Sequence, residues 1–134
     1  MKNNGEDMKE KEDSLNCKQG YFAMFWFLSK YNESTKLDDL GSMLGSMDPF
    51  LFSGGMPIDI TMYDSWVEIF DDRSNTIEDR FGFMIKYVEV QEKEFVYDFE
   101  SLLKFLNDIL SNKNEHKKEW TEWINYCKLA QEKI

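Results

Sequence analysis

Residues 75–98 read Asn75-Thr-Ile-Glu-Asp-Arg-Phe-Gly-Phe-Met-Ile-Lys-Tyr-Val-Glu-Val-Gln-Glu-Lys-Glu-Phe-Val-Tyr-Asp98, and their conformation decides between an all-helical and a mixed fold. Asn75-Thr-Ile-Glu78 has the form of a capping box with Asn75 in the cap position. Ile77, Phe81, Met84, Ile85 and Val88 then recur at i, i+4, i+7, i+8 and i+11, the spacing of one helix face. Tyr87, Val88, Val90, Phe95, Val96 and Tyr97 pull the other way, because aromatic and β-branched residues suit strands. A hairpin over 83–98 would have to turn in Gln91–Glu94, which lacks the glycine or Asn-Gly that a tight hairpin uses. The stretch is therefore expected to be a helix, with a small antiparallel hairpin in an α+β fold as the alternative.

Working outward, the flanking segments are helical in pattern. Upstream, Tyr21, Met24, Phe25, Leu28 and Tyr31 follow a helical stripe that Phe22, Trp26 and Phe27 widen nearly all round. This predicts a largely buried helix from about Ser14 to Tyr31. Leu37, Leu40, Met43, Leu44 and Met47 predict a short second helix, stopped by Pro49. Gly41 and Gly45 within it suggest close packing. Asp59 or Thr61 can cap a third helix carrying Met62, Trp66, Ile69 and Phe70 on one face and ending near Asp71-Asp72. The apolar Phe50, Leu51, Phe52 and Met56 of the loop before it should pack on the core or sit in an interface. Downstream, Asp98 or Ser101 can open a helix with Phe99, Leu102, Leu103, Phe105, Leu106, Ile109 and Leu110 inward. A last helix is expected from about Asn114, with Trp120, Trp123, Ile124 and Cys127 on its apolar side. The fold class is thus mainly α, about six helices in one domain spanning 14–134, behind a polar, charged tail at 1–13.

An offset of sixty aligns Tyr21, Met24, Phe27 and Leu28 with Phe81, Met84, Tyr87 and Val88, and a tryptophan helix follows in each half, around Trp66 and around Trp123. Two related halves, 14–72 and 73–134, are one reading of this echo; chance likeness between amphipathic helices is the other.

The chain has 134 residues, 42% of them hydrophobic and 16% aromatic, enough to bury a core. Its net charge is -10, which disfavours direct binding to nucleic acid and favours a basic partner. Met1 to Asp13 contains no apolar run, so no signal peptide is expected. The longest apolar stretch, Tyr21 to Leu28, is too short for a membrane span. Cys17 and Cys127 form no disulfide framework. A reduced, cytoplasmic protein is the expectation.

The acidity is concentrated. Between Tyr31 and Asp72 the only basic residue is Lys36, against Glu33, Asp38, Asp39, Asp48, Asp59, Asp64, Glu68, Asp71 and Asp72. Individually, acids such as Asp38, Asp59 and Asp64 stand where caps and first-turn residues belong. Collectively they lack local cationic partners and lie among Phe50, Phe52, Met56, Met62, Tyr63 and Trp66, a composition suited to a protein interface. Asp38, Asp39, Asp59, Tyr63, Asp64, Glu68, Asp71 and Asp72 are the candidate partner-binding residues.

Chemistry beyond binding finds little in the sequence. The lone histidine, His116, lies in a solvated charge cluster, and nothing marks a nucleophile. No catalytic residue, cofactor or metal site is expected, since neither the spacing of His116, Cys17 and Cys127 nor that of Asp48, Asp59, Asp71 and Asp72 fits a metal-binding pattern. Carboxylate-pair hydrolysis remains an alternative, since Asp and Glu are plentiful. An adaptor with a Met- and Phe-lined peptide groove is another.

Four stretches together resemble a known family: Tyr21-Phe-Ala-Met-Phe-Trp-Phe-Leu-Ser-Lys-Tyr31, Asp38-Asp-Leu-Gly-Ser-Met-Leu-Gly-Ser-Met47, Gly54-Gly-Met-Pro-Ile-Asp59 and Tyr63-Asp-Ser-Trp66. Over residues 20–70 the pattern is similar to that of immunity proteins of bacterial contact-dependent inhibition and other polymorphic toxin systems. The resemblance implies a cytoplasmic, non-enzymatic inhibitor that binds a cognate toxin domain. If that toxin is a nuclease, the resemblance further implies a basic cleft that an acidic surface can occupy. The resemblance designates no contact residues; those above come from charge and position.

Overall fold

A computed structural model describes residues 14–48 and 59–134. The tail at 1–13 and the loop residues Phe50, Leu51, Phe52 and Met56 lie outside the described residues. Six helices follow in order: α1 (Cys17–Thr35), α2 (Asp38–Met47), α3 (Ile60–Ile69), α4 (Ile77–Phe95), α5 (Glu100–Ser111) and α6 (Lys117–Lys133). No strand occurs among the described residues, so the hairpin alternative over 83–98 is replaced by one long helix. Tyr87, Val88 and Gln91 are buried on it, and that face outweighs the strand preference of its aromatic and β-branched residues.

The start of α4 corrects the expected cap. Thr76, not Asn75, is the N-cap: its hydroxyl accepts from Asp79 N at 3.0 Å and the Asp79 carboxylate accepts from Thr76 N at 3.2 Å. Asn75 is freed for a different job. Its amide donates to Leu15 O, while its carbonyl and side-chain oxygens each accept from Arg80 Nη1 at 2.7 Å. Arg80 is thereby held almost fully buried.

α1 runs one turn beyond the expected Tyr31, to Thr35, and opens with a capping box of its own between Asn16 and Gln19. Its packing depends on Gly20. A Cβ there would meet Phe70 Cε2 and Trp66 Cζ2 at 3.1 Å each, so the missing side chain lets α3 approach. The close packing expected at Gly41 and Gly45 is not found: Gly45 is exposed with nothing within 4 Å, and Gly41 meets only the Asn32 side chain at 3.6 Å. α6 begins at Lys117, three residues after Asn114, because Asn112 O first accepts turn bonds from Glu115 N and His116 N. At α5, Asp98 accepts from Glu100 N at 3.2 Å although Phe99 holds the cap position.

α1 and α4 are matched in form. Each has 19 residues and a capping box, and each ends on a residue in the left-handed region, Lys36 (φ 52°) and Val96 (φ 55°). For a β-branched residue such as Val96 that conformation costs about 1–3 kcal/mol. Trp66 and Trp123, both fully buried, donate their indole N–H to Cys17 O (2.8 Å) and Ile77 O (3.0 Å). Each ring also packs edge-on against the long helix of the other half, Trp66 on Tyr87 and Trp123 on Phe27. The core lies between these long helices. Tyr21 and Tyr87 send their hydroxyls to Met47 O (2.9 Å) and Met62 O (2.8 Å), which satisfies the buried phenols.

Candidate partner-binding surface

Burial of Met62 and Trp66 turns α3 so that the opposite face meets solvent. Asp64 and Glu68, one turn apart, are exposed there, and so are Ile60 and Val67, each 48% accessible. Two β-branched side chains left half-open beside two carboxylates make a mixed apolar and acidic face. Like charges at this spacing repel by a few tenths of a kcal/mol, so the pair is no help to the helix itself.

The remaining candidates differ in what holds them. Asp59 caps α3, its Oδ1 accepting from Thr61 N at 3.0 Å and Thr61 Oγ1 at 2.6 Å. Asp71 turns onto its neighbour Arg73, accepting from the backbone N at 2.9 Å and Nε at 3.2 Å, and these bonds hold its carboxyl below the usual range. Asp72 is exposed and borders an open groove of about 770 Å³ with Asn75, Trp120 and Ile124. Tyr63 packs inward, edge-on to Tyr21 with ring centroids 5.2 Å apart. Its burial, with the Cys17 thiol beside it, pushes the phenol well above its usual value.

Asp38 and Asp39 stand apart from this group. They open α2 just after the end of α1, whereas Trp66 on α3 is tied to Cys17 at its beginning. Nineteen helical residues put these sites about 27 Å apart along the α1 axis. The acidic segment therefore divides in two. Asp39 Oδ2 accepts from Asp98 N at 2.7 Å, so Asp38 and Asp39 join the α4–α5 turn and not the α3 face. Sequence separation within one charged segment concealed this division, and the Asp39–Asp98 contact has no local signature.

The second half supplies an internal comparison. Asp59 and His116 hold the N-cap positions of α3 and α6, 57 residues apart, as are Trp66 and Trp123. At the same offset Asp64, Glu68 and Asp71 correspond to Thr121, Asn125 and Lys128. α6 thus forms without carboxylates at these positions.

Other features carry less. A cleft of about 470 Å³ between α1, α5 and α6 has Phe27, Tyr31 and Phe105 for its floor, with Tyr31 and Phe105 stacked at 4.7 Å. Two of its three acids already have neighbours: Glu33 lies 3.7 Å from Lys30, and Glu119 lies 3.4 Å from His116 Nδ1. Among the described residues no group of three His, Cys, Asp or Glu is placed to hold a metal ion. No helix among them is long and apolar enough to cross a membrane. The described methionines, Met24, Met43, Met47, Met62 and Met84, are all buried in the core. Comparison with known proteins finds no match to a family model, to a characterised protein or to a solved structure.

Proposed function

We propose that this protein is an immunity-type inhibitor that neutralises a basic toxin domain by covering it with an acidic face, protecting the cell that makes both. The supporting observation is the outward side of α3, where Asp64 and Glu68 stand exposed beside Ile60 and Val67. Among the described residues no lysine or arginine forms an ion pair with either carboxylate. Helix α6, which also buries a tryptophan, carries Thr121 and Asn125 at the positions 57 residues beyond Asp64 and Glu68, so such a helix forms without those charges. The four sequence stretches that resemble toxin-immunity proteins, one of which contains Asp64, point in the same direction.

Such a face works in two stages. Opposite charge steers the encounter and raises the association rate. Apolar side chains, once desolvated against the partner, slow its release. A basic toxin surface that normally holds a phosphate backbone would meet carboxylates in its place, and the toxin's own substrate would be excluded.

The test begins with the reading frame directly upstream, where a large secreted protein with a variable C-terminal toxin domain is expected. That domain, purified, should bind this protein and lose its activity. Asp64→Lys combined with Glu68→Lys should weaken binding at least tenfold with an unaltered circular dichroism spectrum. Unchanged affinity in this variant would overturn the placement of the surface, and absence of binding by the unmodified protein would overturn the function.

A further inference from the structure

The turn between α4 and α5 breaks the usual rule for a helix end. Val96 is 91% exposed in the left-handed conformation, a place where glycine or asparagine is at ease and valine is not. At the matching end of α1, Lys36 occupies the same conformation, following Thr35 as Val96 follows Phe95. A lysine there complements the carbonyl end of its helix; a valine carries no charge to do so. Phe95 is itself 46% exposed. Two apolar side chains project together at a position where the other half of the molecule shows a threonine and a lysine.

The projection is firmly mounted. Phe95, Tyr97 and Phe99 form a ladder of rings with centroids 5.9 and 5.1 Å apart, and Phe99 is fully buried. Glu92 Oε2 accepts from Phe99 N at 2.7 Å, and Asp39 Oδ2 accepts from Asp98 N at the same distance. Asp39, Glu92 and Asp98 are engaged by the backbone of this turn, Glu94 and Glu100 are exposed beside it, and the only basic residue within 92–100 is Lys93. An apolar knob on an acidic turn matches an apolar pocket rimmed by lysine and arginine. An anionic lipid surface would be repelled by the same acids.

We propose that the Phe95–Val96 tip is a second docking element, inserted into an apolar pocket on the basic toxin domain. The identity of the partner rests on the function proposed above; the site does not involve the α3 face. A preorganised apolar anchor acts chiefly on residence time, while the surrounding charge acts on encounter.

The experiment measures association and dissociation of the upstream-encoded toxin domain for the full-length protein and for Val96→Asn and Val96→Gly. Both substitutions suit the left-handed backbone, so the midpoint of thermal unfolding should hold or rise. Dissociation should accelerate at least tenfold, with association changed less than threefold. A dissociation rate within twofold of the unmodified protein in both variants overturns the proposal. Asp64→Lys with Glu68→Lys, run in parallel, separates the two ideas: weakened binding there with Val96 variants unaffected leaves the inhibitor reading standing and removes the knob. Failure of the unmodified protein to bind the domain removes both.

Discussion

Trp66 and Trp123 perform one structural task twice, each donating its indole N–H to the carbonyl of the first residue of a 19-residue helix, Cys17 for one and Ile77 for the other. Both rings are fully buried. Trp66→Ala and Trp123→Ala should each destabilise the protein by about 3–5 kcal/mol, chiefly through the cavities left behind. Trp→Phe at either site should cost about 1–3 kcal/mol, since it removes the donor and part of the ring. Urea titrations followed by far-ultraviolet circular dichroism check both pairs, and similar costs at the two positions are the expected outcome.

Gly20 should resist the smallest possible enlargement. Alanine ordinarily favours a helix over glycine by about 1 kcal/mol. Here the new methyl would press on Phe70 and on a Trp66 ring anchored by its hydrogen bond to Cys17 O. Overpacking of this kind costs about 1–3 kcal/mol, so Gly20→Ala should be net destabilising. Gly45→Ala, with open space around it, should instead hold or raise stability, and thermal unfolding of the two variants distinguishes the sites.

Thr76 and Asn75 are adjacent yet should differ in cost. Thr76→Ala removes a cap, worth about 1 kcal/mol. Asn75→Ala removes the oxygen that accepts from the buried Arg80 guanidinium and the amide that reaches Leu15 O. Hydrogen bonds to charged groups are worth about 1.5–3 kcal/mol each, so the Asn75 variant should be the less stable. Chemical denaturation of the pair measures the difference.

These examples mark what periodicity could and could not reveal. Helix existence followed from apolar spacing, because Met24, Leu28, Met84 and Val88 must share a face to be buried. Periodicity leaves the cap of α4 open by one residue, because Asn75 and Thr76 are both good caps and Asn75 is engaged instead by Arg80 and by the distant Leu15 O. The α3 acids Asp64 and Glu68 were legible as candidates from charge alone. Their separation from Asp38 and Asp39 was not, since it depends on how α2 folds back so that Met47 O reaches the Tyr21 hydroxyl. The Phe95–Val96 tip has no signature in the sequence: its residues look like strand or core until their exposure is known.

Alkaline pH should unfold the protein through its buried weak acids. Burial raises the Cys127 thiol from 9.0 to about 11, with the Arg80 guanidinium pulling slightly the other way. Burial likewise raises the Tyr21 and Tyr87 phenols well above their usual values. Each folded pKa exceeds the unfolded one, so the folded state keeps these protons longer than the unfolded chain does. Their contribution to stability is complete below about pH 9 and is lost progressively as pH rises through the folded values. The urea midpoint should therefore fall above about pH 9–10, and phenolate absorbance from Tyr21 and Tyr87 should appear together with unfolding. Ionisation of both phenols in a protein that stays folded would contradict their burial.

Salt should separate the electrostatic and apolar parts of partner binding. Exposed charges such as Asp64 and Glu68 act over a screening length of about 10 Å at 0.1 M salt and about 3 Å at 1 M. Association with the upstream-encoded toxin domain should slow markedly across that range, whereas dissociation, governed by desolvated contacts, should change little. Replacing Asp64 and Glu68 by threonine and asparagine, the residues that α6 carries at the equivalent positions, should flatten the salt dependence of association. Because α6 forms a helix with those residues in place, the double variant should unfold within about 0.5 kcal/mol of the original, as is usual for surface substitutions. Stopped-flow mixing at several salt concentrations provides the measurement, and a slope identical to that of the unmodified protein would show that the α3 carboxylates do not steer the encounter.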